Sequence, residues 1–77
     1  MKELKERLYD FWAHELQTKK MVMPSKIADL ALKLQTTPKE IENLIRDLQS
    51  PDDVVNKRGD FIEPSCDLLE QLKERKR

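Results

Sequence analysis

Between residues 27 and 48 apolar side chains recur twice at a helical period, with only Gln35, Thr36 and Thr37 between the runs, and this spacing limits the fold more than any other feature. Ile27, Leu30, Ala31 and Leu34 keep the i, i+3, i+4, i+7 rhythm, and Ile41, Leu44, Ile45 and Leu48 resume it. Each set therefore lies on one face of a helix. So short a link makes the two helices cross steeply over one shared core, as in a helix-turn-helix. Ala31 falls where the axes come closest, and a larger side chain there would hold them apart.

The turn carries its own signals. Thr37 is placed to cap the second helix, Pro38 fits the first helical position because no amide hydrogen is needed there, and Glu40 completes a capping box with Thr37. The second helix therefore starts at Pro38. It ends by about Gln49, because Pro51 cannot continue a helix and biases Ser50 away from one.

Upstream, Leu4, Leu8, Phe11, Trp12 and Leu16 form a helical stripe over residues 2–16, with Tyr9 at its edge. Phe11 and Trp12 are expected to supply the largest pieces of core. Residues 17–20 are polar and end this helix. The run Met21, Val22, Met23 before Pro24 reads as a short strand, with its methionines packed under a sheet, and Ser25 then caps the first helix of the central pair. Downstream, Val54-Val55 and Phe61-Ile62 flank residues 56–60, which hold the only glycine, Gly59. That is a β-hairpin in which Gly59 supplies a positive φ. Pro64 ends it and Ser65 caps a last helix. Asp67 and Glu70 come early in that helix and Lys73, Arg75, Lys76 and Arg77 late, the order its dipole favours.

Ile27, Ala28, Asp29, Leu30 and Ala31, then Leu34, Thr37, Pro38 and Ile41, resemble the helix-turn-helix of winged-helix regulators. The order helix, strand, helix, turn, helix, hairpin resembles the winged-helix topology from end to end. The resemblance implies a mostly α fold with a small β-hairpin: a single winged helix-turn-helix domain over 1–77. Its helix-turn-helix is 25–49, its wing 53–63 and its C-terminal helix 65–77. Gln35 stands where the family usually has glycine, at a turn position that often needs positive φ.

The resemblance also implies a function, sequence-specific binding of double-stranded DNA by a small transcriptional regulator, with helix 38–49 in the major groove. If Ile41, Leu44, Ile45 and Leu48 face inward, a turn of about 100° per residue puts Lys39, Glu42, Asn43 and Arg46 outside. Arginine can bond guanine there, asparagine adenine, and glutamate can accept from cytosine. Lys57 and Arg58 at the wing tip and Lys26 beside the first helix of the pair are the expected phosphate contacts. Proteins of this architecture often dimerise through terminal helices, which makes Leu68, Leu69 and Leu72, with the helix-one stripe, a candidate homodimer surface.

Charge pulls the other way. Fifteen Lys and Arg face fifteen Asp and Glu, and no segment is strongly basic. Glu40, Glu42 and Asp47 on or near the outward helix face would repel phosphates. This leaves an alternative open, a winged-helix protein–protein interaction module, such as a subunit or inhibitor of a replication or transcription complex. In it, the same helix face or the acidic flank Asp52, Asp53, Asp60 and Glu63 would meet a basic partner.

Other classes are disfavoured. A chain of 77 residues makes one small domain without a large cleft, and no glycine-rich phosphate loop or nucleophile–base set is visible, so neither an enzyme nor a cofactor is expected. His14 is the only histidine and has no cysteine beside it, which argues against a metal site. Cys66 is the only cysteine, so no intramolecular disulfide forms, and no run is apolar enough for a signal peptide or membrane span. A soluble protein of the reducing cytoplasm is expected.

Overall fold

The computed structural model describes residues 3–49 and 54–74. The chain runs α1 (Leu4–Lys19), β1 (Ser25–Lys26), α2 (Ile27–Lys33), α3 (Pro38–Gln49), β2 (Val55–Arg58), β3 (Phe61–Pro64) and α4 (Cys66–Glu74). It is mostly helical, with one antiparallel three-stranded sheet in the order β1-β3-β2.

The central pair forms as the period requires. Ile27, Leu30, Ala31 and Leu34 are buried against Ile41, Ile45 and Leu48, while Leu44 is half-buried. α2 is closed by two backbone bonds, Thr36 N–H to Ala31 O at 2.8 Å and Gln35 N–H to Leu32 O at 3.2 Å. That is a Schellman motif, and Gln35 takes its left-handed position with φ 57. Thr37 then accepts from the Glu40 N–H through Oγ1 at 3.2 Å and opens α3. Ser65 does the same for α4, accepting the Leu68 N–H at 3.3 Å.

The hairpin has a two-residue loop, because Arg58 pairs with Phe61 and only Gly59 and Asp60 lie between. Gly59 has φ 60, as the first position of a type II′ turn requires. β3 is the middle strand and buries Ile62 and Pro64, with Val55 opposite Pro64 on β2. Two further bonds, Val54 N–H to Leu48 O at 3.1 Å and Ser65 N–H to Val54 O at 2.8 Å, tie the hairpin to α3 and α4.

One core serves every helix. Leu8 and Trp12 from α1 and Leu68 and Leu72 from α4 join the central pair, Val55 and Ile62 in a single buried cluster, and among the described residues no charged one is buried. The Trp12 indole N–H is buried among them with no hydrogen-bond partner among the described residues, and a buried donor left so opposes folding by about 1–3 kcal/mol.

Several expectations need correction. The first strand is Ser25–Lys26 rather than residues 21–23, because Pro24 has no amide hydrogen to give a ladder and the register sets Ser25 against Ile62 and Lys26 against Phe61. Met21 and Met23 are accordingly exposed, at 55% and 58%, rather than buried under the sheet. The Ser25 hydroxyl turns back to Met23 O at 3.4 Å, so Lys26 holds the N-cap position of α2 with no side-chain cap. α1 runs through Lys19, its polar last turn held by Thr18 Oγ1 donating to His14 O and by the Lys19–Glu15 ion pair, until Lys20 turns left-handed at φ 68. Phe11 is only half-buried, so Trp12 alone is the aromatic centre of the core.

The strip of Leu68, Leu69 and Leu72 is spent within the chain: Leu68 and Leu72 are fully buried and Leu69 half-buried against the same core. A dimer through α1 and α4 would have to use other surface. The acidic residues Asp52 and Asp53, the first residue of the expected wing (53), and Arg75, Lys76 and Arg77 at the end of the expected C-terminal helix lie outside the described residues. Among the described residues no helix is long and apolar enough to cross a membrane.

Candidate nucleic-acid interface

α3 presents the face that its period requires. Lys39, Glu42, Asn43 and Arg46 are all exposed, opposite buried Ile41, Ile45 and Leu48. Glu42 and Arg46 are spaced i, i+4, where opposite charges commonly pair, yet they form no ion pair among the described residues. The outward side chains thus stand unpaired along two turns, with the exposed carboxylates Glu40 and Asp47 beside them.

The hairpin separates the other candidates. Lys57 and Arg58 are not a loop pair; both belong to β2, where successive side chains point to opposite faces. Lys57 pairs with Ile62, so it lies on the sheet face that the helices cover, at its exposed end. Arg58 pairs with Phe61 and lies on the opposite, solvent face. Lys26 pairs with Phe61 from the other side. The seven candidates therefore divide by element: Lys39, Glu42, Asn43 and Arg46 lie along α3, Lys57 shares the sheet face of buried Ile62, and Lys26 and Arg58 flank Phe61 on the other face.

The row Lys26, Phe61, Arg58 was not foreseen as a unit. Phe61 is 42% exposed, and the Lys26 ammonium sits 5.9 Å from its ring centroid. The signal for it existed, since a two-residue Gly59-Asp60 loop fixes Arg58 against Phe61, and alternation puts Phe61 opposite to buried Ile62. Assigning residues 56–60 to a loop concealed it. Cys66 is exposed in the first turn of α4, and among the described residues no group of three or more His, Cys, Asp or Glu is placed to hold a metal ion.

No family model, curated protein or solved structure matches this chain. Any functional reading rests on the geometry of these two surfaces.

Proposed function

We propose that the chain is a winged helix-turn-helix protein that binds double-stranded DNA with sequence preference, as a small transcriptional regulator. The observation that carries this reading is the unpaired, fully outward row on α3, which follows a tightly closed turn and precedes an antiparallel hairpin. In the major groove Arg46 would bond guanine through both ends of its guanidinium, Asn43 would bond adenine, and Glu42 would accept from the cytosine amino group. Lys39 and Lys57 would bind phosphates, which fixes orientation without reading sequence.

The test is fluorescence anisotropy on a random duplex pool, followed by selection of the preferred site. Arg46→Ala should cost about 1–3 kcal/mol on the selected site and relax preference at one base position, whereas Lys57→Ala should weaken all sequences alike. Equal losses on all sequences for both variants would remove the readout role from α3.

A second reading has one observation in its favour. Fifteen basic residues balance fifteen acidic ones, so long-range attraction to DNA is weak, and α3 would instead dock on a basic protein of a replication or transcription complex. Absence of duplex binding even at low salt would favour it.

A further inference from the structure

We propose that the solvent face of the sheet is a second site, which stacks one unpaired base of single-stranded nucleic acid on Phe61 and holds the adjoining phosphates with Lys26 and Arg58. Three observations converge there. Phe61 is a large aromatic side chain left 42% exposed on the middle strand, although the opposite face of that strand is fully buried at Ile62. It is bracketed in register by a cation on each neighbouring strand, Lys26 on β1 and Arg58 on β2. Neither cation has an ion-pair partner among the described residues, so their charge is available to an incoming anion.

Beside the ring lies a recess of about 360 Å³, lined by Pro24, Asn56, Arg58, Phe61, Ile62 and Glu63. Its chemistry sorts the parts of a nucleotide. Phe61 and Pro24 offer apolar surface to a flat ring, and the Asn56 amide can both donate to and accept from a base edge. Glu63, half-buried and an acceptor only, keeps phosphate out of the recess. The backbone is thereby directed outward to Lys26 and Arg58. In a duplex both faces of a base are covered by its neighbours, so a ring on an open sheet face selects an unpaired one. The site does not depend on α3 reading duplex DNA, because none of its residues belongs to α3.

The experiment compares a labelled oligothymidylate with its abasic analogue of equal length and charge, by anisotropy at low salt. The 77-residue wild type should bind the oligothymidylate roughly 5- to 150-fold more tightly, the worth of one stacked base. Phe61→Leu, an apolar replacement at an exposed position, should lose that preference with unchanged far-UV circular dichroism and unchanged duplex binding, and Phe61→Trp should keep it. Arg58→Ala should weaken both oligomers by the same factor. Equal affinity of the wild type for the two oligomers would overturn the proposal, as would a preference that survives in Phe61→Leu or disappears in a folded Phe61→Trp.

Discussion

Gln35 holds the least comfortable backbone position in the helix pair. Its φ of 57 places a side chain in the left-handed region, which costs an L-residue about 1–2 kcal/mol and which glycine occupies without that cost. The motif requires it, since the Gln35 and Thr36 amides reach Leu32 O and Ala31 O only when the chain reverses there. Because Gln35 is exposed, Gln35→Gly removes no packing. The gain is offset by about 0.4–1 kcal/mol from the freer unfolded chain, which leaves a net stabilisation between about 0 and about 1.6 kcal/mol in a urea titration. A loss of stability would mean that the glutamine side chain holds the turn in a way its exposure does not reveal. This strain was legible in the sequence because the turn, its missing glycine and its cap are local chemistry. Phe61 was not, because its exposure depends on which face of the sheet it takes, and that is settled by pairing with residues far along the chain.

Helices announced themselves more clearly than strands. The period of α2 and α3 is set by their own residues, so their faces followed from spacing alone, whereas β1 is two residues long and exists only where β3 offers partners beyond Pro24. The same contrast holds for the three candidate caps. Thr37 and Ser65 accept backbone amides at 3.2 and 3.3 Å, while Ser25 points back to Met23 O and caps nothing. Thr37→Ala and Ser65→Ala should each cost about 1 kcal/mol, within the range for a lost N-cap. Ser25→Ala should change stability by no more than about 0.5 kcal/mol, as surface substitutions away from such features do. Chemical denaturation of the three variants checks this, and a Ser25→Ala loss equal to the others would restore Ser25 as the cap of α2.

One core joins α1, α4, the central pair and the sheet, so the α3 face and the row of Lys26, Phe61 and Arg58 are carried by one small body with principal extents of only 30 × 25 × 23 Å. A chain laid on a duplex by α3 would bring Lys39, Arg46 and Lys57 to the backbone or the groove, while Lys26 and Arg58 belong to the sheet face that carries Phe61. Arg46 is assigned to a base, so Lys39 and Lys57 are the phosphate contacts that set the salt dependence. With a slope of about −0.9 for each phosphate neutralised, log Kobs against log salt should fall with a slope of roughly −1.8. Affinity would then drop roughly 12-fold between 50 and 200 mM salt. Repulsion from the neighbouring carboxylates Glu40 and Asp47 is itself screened by salt, which makes the slope shallower rather than steeper. An anisotropy titration over that range separates the arrangements. A slope near −1.8 fits the Lys39 and Lys57 contacts of one chain alone, and one of about −3.6 or steeper requires further cations, from Lys26 and Arg58 or from a second chain. A slope near zero would leave no phosphate contact to support DNA as the ligand of α3, and the balanced charge of the chain would then favour a basic protein there.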